Sequence, residues 1–292
     1  MNKIWFWLNN SRLFSLPMTI FSWLIVFIYS FEGNNVNGIA ALIGIACTHL
    51  ATNLFDDYVD YKNLSNDCQV CKCAYIKEGK ATIDDVLRVV IIYLSIAAFI
   101  GLFLFFRCGF PVIILAITGL FIALLYSKLS KLGLSEIAVG TAFGPLLFEG
   151  VYYVMTGEFS FNVLIISIAV VSFTIGLMYV HTVLDYEGDL KSGKKTLACR
   201  LGSKQNAING VFVIYGIGYI FTLISSIMIK NYYLLFSIIL IPIIIDLHKS
   251  LEDFVCGDAP SEFYKRLLTA RNIMIYYSLI FIISLFINFL KP

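Results

Sequence analysis

The segment NVLIISIAVVSFTIGLMYVHTVL (residues 162–184) holds no Asp, Glu, Lys or Arg and runs directly into DYEGD (residues 185–189). About 20 apolar residues suffice to cross a bilayer as a helix. An apolar stretch at 37–55 ends in the same way, on Asn53-Leu54-Phe55-Asp56-Asp57-Tyr58-Val59-Asp60. Carboxylates at a bilayer boundary are costly to desolvate unless something offsets their charge. Two facing groups of them most readily hold divalent cations, and Mg²⁺ held in this way usually completes its shell with substrate phosphate. Lys191, Lys194, Lys195 and Arg200 follow the second cluster and suit the same phosphate. The combination points to diphosphate chemistry at a membrane surface.

The rest of the chain agrees with a membrane setting. Of its 292 residues 59% are hydrophobic and 14% charged, whereas a soluble domain is nearer half apolar and about a quarter charged. The excess lies in long continuous runs, so the fold expected is all-α, a polytopic bundle of nine transmembrane helices forming one domain over residues 1–292. A transmembrane β-barrel would show weaker, alternating segments. The spans fall at roughly 15–31, 37–55, 84–106, 110–127, 135–156, 162–184, 208–229, 232–247 and 271–290. The first of these lacks a small-residue cleavage site and reads as a helix rather than a signal peptide. No basic tract suggests nucleic acid as a partner; the partner implied is the lipid bilayer. The odd number of cysteines, seven, argues against a disulfide framework.

Basic residues set the orientation. All but three of the 21 Lys and Arg residues fall on the N-terminus and the loops after spans 2, 4, 6 and 8; the exceptions are Arg107, Lys230 and Lys291. The N-terminus and the loops that carry both acidic clusters are therefore expected in the cytoplasm.

On a helix, Asn53 and Asp57 share a face, as do Asp56 with Asp60 and Asp57 with Asp60. At least three oxygen-bearing side chains are then expected to converge on one ion. The plain alternative is a solvated acidic helix end, although acids at a helix C-terminus oppose the macrodipole. In the second cluster Asp185 and Asp189 are four apart, and His181 stands four before Asp185. His181 would orient that carboxylate or take a proton, unless it is merely interfacial.

The two clusters resemble the paired Asp-rich motifs of the UbiA superfamily of intramembrane prenyltransferases. The branch most similar is the 1,4-dihydroxy-2-naphthoate polyprenyltransferases of menaquinone synthesis. Its first motif, Asn-x-x-Asn-Asp-x-x-Asp, is matched by Asn53, Asp56 (Asp for Asn), Asp57 and Asp60. Its Gly-Lys-x-Thr-Leu-Ala-x-Arg-Leu-Gly run is matched by residues 193–202, and Gly133-Leu134-Ser135-Glu136, Phe143-Gly144-Pro145, Tyr152-Tyr153 and Thr156-Gly157 also resemble it. Arg12 before Leu16-Pro17 matches an arginine that faces diphosphate in the family. The resemblance covers roughly residues 12–202. It departs at Leu184, where the branch has Arg, and at His181, where it has Asn; Leu64 replaces a third Asp of other branches.

The resemblance implies Mg²⁺-dependent transfer of a polyprenyl group from prenyl diphosphate to an aromatic acceptor. Asn53, Asp56, Asp57 and Asp60 would hold one Mg²⁺ and Asp185 with Asp189 another. Arg12, Lys128, Lys131 and Lys194 would face the diphosphate, with Asn53 and Tyr126 also at the substrate. Asp57, Asp60, Asp185, Asp189 and His181 form the expected catalytic set, under lids at 56–83 and 128–135. Acceptors of glycerol phosphate or haem type remain open, and a cation-coupled transporter is the reading from another class.

Three features stand apart from the pattern. Cys68, Cys71 and Cys73 are inert or locally structural, or else bind a soft metal or act in redox regulation. Glu149 lies inside span 5, where an ionisable group is functional or makes a structural polar contact. Tyr58, Tyr126, Tyr152, Tyr153 and Tyr179 are candidates to line a tunnel for the isoprenoid tail.

Overall fold

The computed structural model describes residues 3–63, 73–191, 195–255 and 259–290. Lys194, Leu64, Cys68, Cys71 and residues 64–72 of the predicted 56–83 lid lie outside the described residues.

The chain starts with α1 (Lys3–Asn10), a 3₁₀ turn (Leu13–Ser15) and α2 (Leu16–Tyr29). At 14 residues α2 is roughly 21 Å long, too short for a hydrocarbon core of about 30 Å. It completes a span only together with α1, from which it is bent by 52°. Arg12 sits in the elbow with φ 58°, a left-handed conformation uncommon for a residue with a side chain.

Next come α3 (Asn35–Asn63), the short α4 (Ala74–Lys77), α5 (Ile83–Cys108) and α6 (Pro111–Lys131). A Thr82–Asp85 capping box starts α5, each side chain bonding the other's backbone N–H. The fifth span is broken: α7 (Ser135–Thr141) and α8 (Leu147–Thr156) flank a π-turn over Ala142–Leu146, where Pro145 removes a backbone donor.

Then follow α9 (Phe161–Leu184), α10 (Tyr186–Lys191), α11 (Leu197–Arg200) and α12 (Lys204–Met228). A 3₁₀ segment (Tyr232–Leu240) leads into α13 (Ile241–Glu252), and α14 (Pro260–Phe289) ends the bundle. Among the described residues eight helices are long and apolar enough to span a membrane, nine with the bent first pair. The polytopic all-helical architecture is the one the hydropathy pattern predicts.

Two boundaries differ from expectation, both because helices extend beyond the hydrocarbon. α3 continues eight residues past 55, so the first acidic cluster lies within a helix. α14 starts at Pro260 rather than near 271.

The core centres on α9, which is enclosed by α2, α7, α8, α12 and α14. Phe173 of α9 stacks on Tyr277 of α14 with centroids 3.6 Å apart. Small residues let α12 approach: Gly176 faces Tyr215, and Gly210 faces the Tyr179 hydroxyl. α5 and α6 pack more loosely at the periphery and leave many apolar side chains exposed, as lipid contact allows. Between α6 and α7, Gly133 has φ +68° and lies against the Lys195 carbonyl, so the turn requires glycine twice over.

Candidate active site

One cavity of about 1810 Å³ lies between α2, α3, α5, α6, α7, α9 and α14. Both acidic clusters open onto it. Asn53, Asp56, Asp57 and Asp60 line it from α3, and Asp185 and Asp189 from the end of α9 and from α10. Its other arm is apolar and follows α5 from Ile91 to Phe105 and the facing residues of α6, roughly 21 Å of helix.

The α3 wall is tightly organised. The Arg12 guanidinium donates to Asp57 Oδ1 at 2.6 Å and lies 3.5 Å from Asp56 Oδ2. Ser127 of α6 donates to Asp56 Oδ1 at 2.7 Å. The Tyr75 hydroxyl donates to Asp57 Oδ2 at 3.3 Å, and the buried Cys73 thiol reaches the Asp57 carbonyl oxygen. Burial first, and then the charges of Asp57 and Asp60, push the Cys73 thiol up to about 12 and raise the Tyr75 phenol as well. Both groups therefore stay protonated near neutrality and act as donors. Cys73 is a local structural thiol.

Asn53 directs its amide nitrogen to the Ser11 carbonyl and the Ser15 hydroxyl, at 3.0 and 3.1 Å. One turn earlier His49 lines the same cavity, its Nε2 3.0 Å from Ser15 Oγ and its Nδ1 2.7 Å from Thr19 Oγ1. Ser15 also donates to the Arg12 carbonyl. With its one proton used there, Ser15 accepts from His49 Nε2–H, and Thr19 donates to Nδ1. The ring is therefore held from both nitrogens.

The opposite wall is looser. His181 Nδ1 lies 3.4 Å from Asp185 Oδ2, with both side chains nearly half exposed. Asp189 is buried. Behind this wall Glu136 is almost fully buried. Ser135 donates to its Oε2 at 2.9 Å, and Thr182 Oγ1 stands 3.5 Å from Oε1. Ser135 and Thr182 themselves line the cavity.

Among the described residues no group of three His, Cys, Asp or Glu side chains closes on a metal position. Asp56 and Asp57 are adjacent, hence about 100° apart around the helix, and Arg12 stands between them. The donors are nonetheless hard carboxylate and amide oxygens on two walls of one cavity. That suits Mg²⁺, which binds through one or two carboxylates and substrate phosphate rather than an all-protein cage.

A model of the UbiA prenyltransferase family matches residues 15–254. The chain belongs to that family. It is thus an intramembrane prenyltransferase, which removes the cation-transporter reading. The 1,4-dihydroxy-2-naphthoate octaprenyltransferase of Haemophilus influenzae is 25% identical over 228 residues, 70% of this chain and 72% of that protein. A solved structure of digeranylgeranylglyceryl phosphate synthase superposes with TM-score 0.68 at 17% identity, over 98% of this chain and 99% of that one. A UbiA homolog from Archaeoglobus fulgidus bound to GPP and Mg²⁺ gives 0.63 at 13%, over 94% and 99%.

Several expectations from the sequence meet a different geometry. Of the five tyrosines proposed for a tunnel, only Tyr126 lines the cavity. Tyr179 donates to the Ala207 carbonyl inside the core, Tyr153 to the Cys108 carbonyl, and Tyr58 stacks on Phe55; Tyr152 lies near Tyr29. Lys131 lines the cavity, whereas Lys128 is not among its lining residues. Glu149 accepts from the Ser160 backbone N–H at 3.0 Å and so caps α9, a structural contact. Leu184 is buried in the core. His49, Ser127, Tyr75 and Arg271 also line the cavity without having been singled out from the sequence. His49 alone left a trace there, one turn before Asn53 on the same face.

Proposed function

We propose that the protein transfers a polyprenyl group from its diphosphate to 1,4-dihydroxy-2-naphthoate or a close aromatic acceptor, with Mg²⁺, in a menaquinone-type pathway. The observation that carries this is the zoning of one cavity, with six oxygen-bearing side chains at one end and an apolar arm along α5 and α6 at the other. Diphosphate fits the first end and an isoprenoid chain the second. The likeness to the Haemophilus influenzae enzyme supports the acceptor class, and the GPP- and Mg²⁺-bound homolog supports the donor and the ion. The basic asymmetry along the sequence supports a cytoplasmic position for the acidic end.

Asp56, Asp57 and Asp60 with Asn53 would hold Mg²⁺ on one wall, and Asp185 with Asp189 on the other. Bound there, Mg²⁺ supplies charge neutralisation for the leaving diphosphate. Arg12 and Lys131 add fixed positive charge at the same end, with Lys194 as a further cation. The C1–O bond of the donor breaks, diphosphate departs, and the acceptor ring attacks the allylic cation, releasing its ring proton. The apolar arm excludes water, which would otherwise capture the cation. His181 orients Asp185.

The test uses purified protein in lipid vesicles, offered prenyl diphosphates of several lengths with 1,4-dihydroxy-2-naphthoate, 4-hydroxybenzoate or a glyceryl phosphate, with products identified by mass spectrometry. Naphthoate prenylation that stops in excess EDTA and resumes with Mg²⁺ is expected. Turnover of only the glyceryl phosphate, or full activity in chelator, would refute the proposal.

A further inference from the structure

We propose that Arg271 recognises an anionic group on the acceptor, a carboxylate carried beside its electron-rich ring. This rests on the reading of the cavity as the site of prenyl transfer.

The position of Arg271 comes from α14. A helix of 30 residues is roughly 45 Å long, against about 30 Å for the hydrocarbon core, so its first third projects beyond the core. Arg271 lies eleven residues after Pro260, roughly 17 Å along the axis, and therefore at the hydrocarbon boundary. Leu267, Arg271 and Met274 recur at helical spacing and all line the cavity, which makes Arg271 part of a continuous wall.

Its depth follows from two ring contacts between α9 and α14. Phe173 stacks on Tyr277, and His181 meets Phe263 edge-on at 5.7 Å. Residue numbers rise along α9 as they fall along α14, so the helices are antiparallel and Arg271 lies between the two contacts. It stands below His181 and further still below Asp185, at the level where a ring would lie beneath the diphosphate.

Its charge is unmatched. Arg12 is paired with Asp57 and Asp56, and Lys80 with Glu78. Among the described residues Arg271 has no carboxylate partner; its one hydrogen bond goes to Asn272 Oδ1 at 3.3 Å. A guanidinium offers five N–H donors in a fork that matches a carboxylate. Arg271 is exposed and lines the cavity, so its fork is accessible to an anionic ligand. Lys131, the other cavity cation without a carboxylate partner among the described residues, lies one turn past Ser127 and hence beside Asp56, at the diphosphate end. The two cations thus serve different anions: Lys131 the leaving group, and Arg271 the acceptor.

The test compares 1,4-dihydroxy-2-naphthoate with naphthalene-1,4-diol, which keeps the ring and hydroxyls and lacks the carboxylate. Wild-type protein in vesicles is measured beside Arg271→Leu, Arg271→Gln and Arg271→Lys, with geranylgeranyl diphosphate as donor. Loss of a charged hydrogen-bond partner should raise KM for the naphthoate about tenfold to a hundredfold in Leu and Gln. KM for the diol and for the donor should stay unchanged, and Lys should recover part of the loss. If Leu does not insert and fold, Gln and Lys carry the same readout. Equal KM changes for both acceptors, or none, would overturn the assignment. A raised donor KM would make Arg271 a diphosphate ligand and overturn it equally. An effect that vanishes when anionic lipid is left out of the vesicles would make it a headgroup anchor. Wild-type protein that prenylates neither acceptor overturns the functional reading itself, whereas normal turnover with no carboxylate selectivity overturns this inference alone.

Discussion

The two acid-bearing walls of the cavity are built to different standards. On α3, Asp56 and Asp57 are buried and held by Arg12, Ser127 and Tyr75 before any substrate arrives. At the end of α9, Asp185 is nearly half exposed and has His181 at 3.4 Å. A buried carboxylate without partners would be unstable, so the first wall carries its own counter-charge. Asp185 is close enough to water to wait for an ion or a substrate. The comparison separates the preorganised Asp56 and Asp57 from an Asp185 left open to solvent.

That contrast breaks most sharply at Asp57. Asp57→Ala should lower turnover at least about a hundredfold. It should also cost about 1.5–3 kcal/mol of stability, because half-buried Arg12 loses its shortest partner and keeps only Asp56 at 3.5 Å. Steady-state assays and thermal unfolding in detergent measure both. A variant that keeps its stability would show that the first wall is not preorganised.

Asp185→Ala should match that loss of turnover while its stability stays within about 0.5 kcal/mol of wild type, as for an exposed side chain without a packed role. A large fall in melting temperature would erase the difference between the walls. Ser127→Ala sharpens the comparison more finely. Removing the donor to Asp56 should raise KM for prenyl diphosphate up to about tenfold, the worth of one charged hydrogen bond, with the acceptor KM unchanged. A rise in acceptor KM instead would shift Ser127 to the other substrate.

The smallest effect is expected at His181. If it only orients Asp185, His181→Asn should lose less than about tenfold in rate and leave the pH profile in place. A loss of about a hundredfold, with Mg²⁺ affinity unchanged, would make His181 a proton acceptor.

Much of this contrast was not legible from residue spacing. The Asn53–Asp60 periodicity put the acids on one helix, and there they are. It did not reveal that Arg12 would stand between Asp56 and Asp57, because that contact spans 45 residues and depends on the 52° elbow. Tyr179, a tunnel candidate from the sequence, instead turns its hydroxyl to α12. Glu149 looked like a charge buried in a span, and caps a neighbouring helix.

The sequence by itself determined the membrane spans and the placement of both acidic clusters at span ends. Both are local properties: hydrophobic run length answers to bilayer thickness, and charge avoids hydrocarbon wherever it can. Only the tertiary structure decided which face of each helix turns inward. That choice joined Ser127 to Asp56, locked His49 between Ser15 and Thr19, and brought Arg271 to the cavity wall. Helix rotation and crossing are fixed by packing against neighbours, which hydropathy does not encode.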